Sequence, residues 1–134
     1  MNSAAKGETS LRSEHDIVMA RQQVRKLTQE LKFSLVDQTK MVTAASELAR
    51  NALIYGKGGT MHWEVLQADA RTGLRLLFAD EGPGIANMDL AMTDGWTSGK
   101  GLGMGLTGAK RLVNEFEIDS KVNGGTRVMI TRWK

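Results

Sequence analysis

The stretch Leu74-Arg75-Leu76-Leu77-Phe78-Ala79-Asp80-Glu81-Gly82-Pro83-Gly84 decides how this chain folds. Apolar residues alternate along its first half, and that period predicts a β-strand with one buried face. The strand runs directly into Asp80, which is followed by two glycines that flank the only proline of the chain. A carboxylate therefore ends a buried strand, next to backbone that can turn sharply or approach another group closely.

Further strands are predicted on both sides of this one, because runs of alternating apolar residues are separated by turn residues. The predicted strands cover residues 11–13, 61–65, 74–78, 116–122 and 126–133. Gly73 is expected to close the turn of the first hairpin, and Asn123-Gly124-Gly125 is a hairpin turn signal for the second. The sheet is therefore expected to be mixed and mostly antiparallel.

Three helices are predicted from apolar residues that recur at helical spacing. They cover residues 16–31, 36–55 and 105–116, and Gly56 is expected to end the second of them. Runs of helix followed by hairpins predict an α+β two-layer sandwich, in which the three helices cover one face of the sheet. Residues 1–10 are small and polar and are expected to form a flexible N-terminus, which leaves residues 11–134 as a single domain.

Length and composition exclude several classes of protein. The 134 residues include 41% hydrophobic and 25% charged residues, close to the average of a globular domain. No cysteine is present, which excludes disulfides and cysteine-ligated metal sites. A net charge of +3 is too small to indicate a nucleic-acid partner, and no apolar run approaches the ~18 residues of a membrane span. We expect a cytoplasmic protein with neither nucleic acid nor membrane as a partner.

Glycine is concentrated in one part of the chain, since eight of the 15 glycines lie between Gly82 and Gly108. Gly103 and Gly108 have the spacing of a Walker A loop, but Ala109 follows where that loop requires lysine. The dinucleotide-binding pattern G-x-G-x-x-G is also present, yet no apolar strand precedes it and no βαβ unit surrounds it. The glycine-rich loop of the protein-kinase fold is excluded too, because its partner motifs H-R-D and D-F-G are missing.

Gly101, Gly103 and Gly105 lie immediately before and at the start of the third predicted helix and leave their backbone amides uncovered. The N-terminus of a helix carries partial positive charge and free N–H donors, so this segment is a candidate phosphate site. The alternative is a flexible lid of unusual composition. Gly108 lies inside the predicted helix, where we expect it to allow close helix packing.

Three polar residues suggest what such a site would bind. Glu47 and Asn51 are four apart and share one face of the second predicted helix, which suits Mg²⁺ held by nucleotide phosphates. The alternative is an exposed polar pair. Asp80 can accept hydrogen bonds from an amino group such as N6 of adenine and would repel O6 of guanine, while Gly82 and Gly84 let the base lie against bare backbone. The alternative for Asp80 is an aspartate that caps a helix or a turn.

Four short motifs, in this order, resemble those of one ATPase superfamily. Residues Ser46-Glu47-Leu48-Ala49-Arg50-Asn51-Ala52 resemble the N box of the GHKL ATPases, and Asp80-Glu81-Gly82-Pro83-Gly84-Ile85 resembles their first glycine box. Gly101-Leu102-Gly103-Met104-Gly105-Leu106 resembles the second glycine box, and Gly124-Gly125-Thr126 lies where the family has a Gly-Thr pair. The resemblance implies the Bergerat fold. Within the superfamily, residues 13–133 are similar to the RsbT-type switch kinases and, more broadly, to the RsbW-like anti-sigma-factor kinases.

The resemblance implies a role for each matching residue. Glu47 would be the general base, Asn51 would ligate Mg²⁺, and Asp80 would hold the adenine amino group with support from Thr126. The implied adenine pocket is lined by Gly82, Gly84 and Ile85. The implied phosphate-binding residues are Lys100, Gly101, Gly103, Met104, Gly105 and Leu106, in and beside a lid over residues 87–102. Some relatives have an arginine where this chain has Lys100, which is either a charge in the lid or an exposed loop residue.

The resemblance further implies a serine-protein kinase that uses ATP and Mg²⁺ in a stress-signalling partner switch. Its substrate would be a serine on a STAS-domain regulator, and the released kinase would bind a PP2C-type phosphatase. One alternative is an anti-sigma factor that sequesters a sigma factor and phosphorylates its antagonist, and another is a module that keeps ATP as a structural ligand. Arg21, Arg25 and Lys26 on the first predicted helix either dock such a partner or form a solvated face.

Overall fold

A five-stranded antiparallel sheet organises the chain. The structure is a computed structural model that describes residues 2–85 and 102–134. In chain order the elements are β1 (Asn2–Leu11), α1 (Glu14–Glu30), α2 (Leu35–Ile54), β2 (Gly59–Ala68), β3 (Arg71–Asp80), α3 (Leu102–Arg111), β4 (Glu115–Lys121) and β5 (Gly125–Trp133). The strand order is β1-β2-β3-β5-β4, and every neighbouring pair in the described ranges is antiparallel, so the expected parallel component is not seen there. The α+β prediction is confirmed.

The three helices of the described ranges pack on one face of the sheet and enclose the core. Every second residue of the central strands points into it, which is the pleat of a half-buried sheet. The strands contribute Met61, Val65, Leu74, Leu76, Phe78, Val128 and Ile130, and the helices contribute Ile17, Val24, Met41, Leu48 and Leu106. Alanines on α2 are fully buried, so that helix lies close to the strands beneath it. Helix α2 thereby brings Asn51, near its C-terminus, close to the end of β3.

Both long helices begin at a serine cap. The Ser13 hydroxyl accepts from the backbone N–H of Asp16 at 3.2 Å, and the Ser34 hydroxyl accepts from that of Asp37 at 3.1 Å. Each bond satisfies one of the free amides of a first helical turn. Within the described part of the chain, none of the helices combines the length and the apolar character that crossing a bilayer requires.

An ion pair ties the helix layer to the sheet. Arg132 of β5 donates to the carboxylate of Asp37 at 2.6 Å and to the backbone oxygen of Leu112 at 2.8 Å. The hydrogen bond from Arg132 is the main reason why the pKa of Asp37 lies below its ordinary value. One guanidinium therefore connects the start of α2, the end of β5 and the segment that follows α3.

The N-terminus differs from the prediction. Residues 1–10 were expected to be flexible, whereas Asn2–Leu11 pair with β2 over nearly its whole length. The composition of this strand is small and polar, so it carries no apolar alternation. Gly7 explains part of the pairing, because the Trp63 ring lies directly over it and a Cβ atom there would approach three ring atoms within 2.9 Å.

Two element boundaries also differ. Gly73 lies inside β3 rather than in the turn, and it is covered by the ring of Trp133. The third helix begins at Leu102 and ends at Arg111, earlier than the predicted residues 105–116. Leu112, Val113 and Phe116 continue the helical spacing in the sequence, but they pack on the core from the connection and from β4. The sequence predicts a longer helix because a helix and a connection that packs on the core both require apolar residues at these positions.

Candidate functional site

Asp80 ends β3 and faces Thr126 of β5 across the sheet register. Its Oδ1 accepts from the backbone N–H of Gly82 at 2.9 Å and from that of Thr126 at 3.3 Å. Both bonds fall on the same oxygen. Within the described residues, Oδ2 is therefore left to accept a hydrogen bond from a ligand.

The electrostatic setting of Asp80 is that of a half-buried carboxylate. Desolvation by burial is the largest influence and raises the pKa of Asp80 above its usual value of 3.8. The N–H groups of Gly82 and Thr126 act in the opposite direction, because they stabilise the charged form. The result is an oriented carboxylate that is easier to protonate than an exposed one.

Two glycines make room for this carboxylate. A Cβ atom on Gly56 would collide with the side chain of Asp80, and one on Gly82 would lie 2.6 Å from Cα of Gly56. The sequence identified Gly56 only as a helix-ending residue. Its second role depends on the fold, because the segment after α2 passes directly beside the end of β3.

The glycine loop after β3 is fixed to the β4–β5 hairpin. Asn123 donates its backbone N–H to the carbonyl oxygen of Pro83 at 2.7 Å. Gly84 has a φ of +77°, and a Cβ atom there would collide with the backbone carbonyl of Lys121. The sequence predicts that Gly82 and Gly84 expose bare backbone to a base. In the structure, the lack of a side chain at these two glycines allows the loop to pack closely on neighbouring backbone, at Gly56 and Lys121.

Glu47, Asn51 and Gly105 come together where α2 meets the start of α3. A Cβ atom on Gly105 would lie 3.1 Å from Nδ2 of Asn51 and 3.4 Å from Oε2 of Glu47. Nδ2 of Asn51 is buried and has no hydrogen-bond partner among the residues that the structure describes. A buried polar atom without a partner is costly in a folded protein, so this side chain is suited to a polar ligand. Glu47 is exposed.

The N-terminus of α3 lies at the same site. The first four N–H groups of a helix have no partner within the helix, and here they belong to residues 102–105. Gly103 was predicted to precede the helix and Gly105 to begin it, and both form part of its first turns, so their amides remain candidate phosphate donors. Met104 lies in the same turn, and the structure describes only its backbone. Lys100 and Gly101 lie outside the described residues, as does most of the predicted lid.

Six of the predicted residues meet in one small cavity, whereas Glu47, Gly82 and Gly105 do not line it. Its lining combines polar groups with apolar side chains from both layers, as ligand pockets commonly do. The predicted residues in the lining are Asn51, Asp80, Gly84, Ile85, Leu106 and Thr126. The residues that sequence reasoning missed are Leu48, Ala52, Tyr55, Gly56, Phe78 and Val128. Helical spacing from Asn51 and strand alternation from Asp80 and Thr126 could have indicated Leu48, Tyr55, Phe78 and Val128.

The contact between Gly56 and Asp80 yields a test. Gly56→Ala should lower the affinity for ATP about tenfold or more, because the added methyl group must displace the carboxylate from the amides of Gly82 and Thr126. Isothermal titration with ATP would measure the change.

Gly108→Ala is the matched control. No described atom lies within 4 Å of a Cβ at Gly108, so the packing role expected from the sequence is not seen. This substitution should leave ATP affinity unchanged and raise the free energy of unfolding by ~0.5–1 kcal/mol, because alanine is the better helix former. Equal ATP binding by Gly56→Ala and the wild type would refute the steric argument.

The fold and the site together define an ATPase domain. Residues 36–134 match the family described as "Histidine kinase-, DNA gyrase B-, and HSP90-like ATPase", and the chain belongs to that family. Among individual proteins, the chain is 41% identical over 121 residues to "Serine/threonine-protein kinase RsbT" of Bacillus subtilis (strain 168), which covers 90% of this chain and 91% of the relative. It is 31% identical over 117 residues to "Anti-sigma F factor" of Clostridium kluyveri, with 84% and 82% covered. The resemblance stated from the motifs is confirmed.

Solved structures share the same architecture. The crystal structure of the RsbU and RsbW domains of Rv1364c from Mycobacterium tuberculosis superposes with a TM-score of 0.64 and 20% identity. The match covers 98% of this chain and 33% of that one. The mycobacterial sensor histidine kinase MprB superposes with a TM-score of 0.57 and 18% identity. At these identities the likeness concerns the fold alone.

Proposed function

We propose that this protein is an ATP- and Mg²⁺-dependent serine-protein kinase of a partner-switching stress pathway. The observation that carries the proposal is that Asp80 and Asn51 line one cavity, while Asn51 and Glu47 both lie beside Gly105 at the start of α3. These residues offer, in order, an acceptor for a base, an amide for the phosphate end and a carboxylate open to solvent. The similarity to a serine/threonine-protein kinase supports protein phosphorylation as the reaction.

Adenine recognition would rest on Asp80. Its Oδ2 remains available as an acceptor, because the N–H groups of Gly82 and Thr126 both donate to Oδ1. An acceptor complements the amino group N6 of adenine and is repelled by the carbonyl oxygen O6 of guanine. The apolar side chains of Leu48, Phe78 and Val128 would exclude water from the flat faces of the base. This arrangement favours ATP over GTP.

Asn51 fits a role as magnesium ligand. Its amide is partly buried beside Gly105. Because Nδ2 is buried and has no hydrogen-bond partner among the described residues, the side chain is suited to binding a ligand. Oδ1 is the kind of hard oxygen ligand that Mg²⁺ takes in addition to phosphate oxygens and waters. When bound, the ion would neutralise charge on the phosphates. The amides of the first turn of α3 would stabilise the same negative charge.

Glu47 would serve as the general base. It lies one helical turn before Asn51, so it faces the phosphate end of the site from the solvent side. The hydroxyl oxygen of the acceptor serine would form a bond to the γ-phosphorus while the bond to the β–γ bridging oxygen breaks. The hydroxyl proton would pass to the Glu47 carboxylate, and ADP would leave with the bridging oxygen.

A cleft between α1 and α2 opens beside Glu47 and supports a protein as the acceptor. Arg21 and Arg25 line it from α1, while Thr43 and Glu47 line it from α2. No ion pair occupies either arginine within the described residues. The cleft therefore offers two free cations to an acidic surface, which we propose to be a STAS-domain regulator with its serine directed at Glu47. Lys26 is exposed on the same helix but does not line the cleft.

Transfer of label from γ-³²P-ATP tests the proposal. The full chain, incubated with Mg²⁺ and a purified STAS-domain protein of the same organism, should yield a labelled serine on that protein. Arg21→Glu should weaken transfer while leaving ATP affinity at the wild-type value, and Lys26→Glu is the matched control outside the cleft. ATP binding without transfer would reject the kinase and favour a module that holds ATP as a structural ligand.

The similarity to anti-sigma F factors favours a second candidate. In that case the chain would sequester a sigma factor and phosphorylate the antagonist that releases it. Pull-down of the purified protein against sigma factors, STAS-domain proteins and PP2C-type phosphatases separates the two functions. Capture of a sigma factor supports the second, whereas capture of a phosphatase by the kinase freed from its STAS partner supports the first. Either activity would belong in the cytoplasm, where these partners act.

A further inference from the structure

Ser120 of β4 connects three parts of the nucleotide site. Its hydroxyl accepts from the backbone N–H of Ile85 at 2.8 Å and donates to the backbone oxygen of Gly125 at 3.2 Å. It also lies 2.8 Å from the hydroxyl of Thr126, its partner in the register between β4 and β5. Nothing in the sequence indicated this residue, which lies in a strand whose other polar side chains are exposed.

The hydroxyl of Ser120 is fully used by these contacts. A serine hydroxyl has one proton to donate and two lone pairs with which to accept. Ile85, Gly125 and Thr126 supply three partners, so no capacity remains for a ligand. Any influence of Ser120 on nucleotide binding must therefore act through the groups that it holds.

Thr126 and Ile85 lie in the part of the cavity around Asp80, where we propose that adenine binds. Thr126 donates its backbone N–H to Oδ1 of Asp80, and this residue lines the cavity. Ile85 lines the same cavity and ends the glycine loop that follows Asp80. Without Ser120, the Thr126 hydroxyl could rotate and the N–H of Ile85 would lose its acceptor.

We propose that Ser120 is a positioning residue that holds Thr126 and Ile85 around Asp80 and thereby sets the preference of the site for adenine. The proposal rests on the proposed function only in that ATP is the ligand of this cavity. It adds that discrimination between bases depends on a side chain that does not touch the base. A serine with a purely structural role would affect all nucleotides alike.

Equilibrium titration with ATP and with inosine triphosphate in the presence of Mg²⁺ tests this role. Inosine carries a carbonyl oxygen where adenine carries its amino group, so the ratio of the two affinities reports base discrimination. Ser120→Ala should weaken ATP binding about tenfold and reduce that ratio severalfold, because at least one hydrogen bond at the site is lost. Ser120→Thr keeps the hydroxyl and should stay within threefold of the wild type. Asp119→Ala, in the same strand but on the opposite face of the sheet, is the control.

Each result decides the proposal. An unchanged affinity ratio in Ser120→Ala overturns it, even if both nucleotides bind more weakly, because the effect is then general. Equal losses in Ser120→Ala and Ser120→Thr also overturn it, since the hydroxyl would not be the cause. If Ser120→Ala does not fold, Ser120→Cys keeps the size and weakens the hydrogen bonds, and the same ratio is measured. Failure of the wild type to bind ATP would instead contradict the proposed function.

Discussion

Asp80→Asn should lower the affinity for ATP by about 100-fold or more. The amides of Gly82 and Thr126 both donate to Oδ1, so the asparagine oxygen must take that position. Its NH₂ group then points at the amino group of adenine, where two donors meet. The reverse orientation is no better, because the NH₂ group would face two backbone N–H donors. Titration with ATP and with inosine triphosphate should show the preference for adenine lost.

Glu81→Gln is the matched control, because Glu81 is the adjacent carboxylate and is exposed. It should bind ATP as the wild type does. Wild-type affinity in Asp80→Asn would mean that the adenine site has been assigned to the wrong residue.

The pH dependence of ATP binding should follow Asp80. The ionised carboxylate is the form that would accept a hydrogen bond from adenine, and burial raises the pKa of Asp80 above 3.8. ATP affinity should therefore be complete above the raised pKa and fall as the pH is lowered through it, at a higher pH than for an exposed aspartate. In Asp80→Asn the weak residual binding should lose this dependence.

Glu47→Ala should reduce phosphoryl transfer by ~10²–10⁴-fold and leave ATP affinity nearly unchanged. The side chain is exposed and does not line the cavity around Asp80, so its removal would take away the proposed proton acceptor without disturbing that cavity. Initial rates of label transfer to the STAS-domain acceptor would measure the loss. ATP titration of the same preparation would show that binding survives.

Glu30→Ala removes an exposed carboxylate at the far end of α1 and serves as the control. Its transfer rate should match that of the wild type. A Glu47→Ala protein that transfers phosphate at the wild-type rate would exclude Glu47 as the base. A loss of ATP binding in that variant would instead place Glu47 among the residues that hold the nucleotide.

The central part of the fold could be predicted because its signals are local. Alternation in β2, β3 and β5 and helical spacing in α1 and α2 place apolar residues on one face of each element. Strand β1 has no such signal, since its pairing depends on backbone hydrogen bonds and on Trp63 covering Gly7. The predicted end of α3 at residue 116 is wrong because Leu112 and Val113 have helical spacing in the sequence but are partly buried without being helical.

The candidate site could be predicted only where one residue type carries the chemistry. Asp80 and Asn51 stand out because a carboxylate directly follows a buried strand and an amide lies one helical turn after Glu47, on the same face of α2. Gly56 and Ser120 act through neighbours that the fold supplies from segments 24 and 35 residues away, at Asp80 and Ile85. Such contacts follow from sheet register and loop path, which no local pattern contains.

The two backbone amides on Oδ1 of Asp80 have a consequence for small-molecule recognition. The carboxylate is oriented before any nucleotide arrives, so a ligand gains its hydrogen bond without first ordering the side chain. A compact aminoheterocycle that lacks both ribose and phosphate can therefore use the same contact. The proposed adenine end of the cavity would therefore offer a contact for fragment-sized inhibitors, whose growth toward Asn51 would add selectivity.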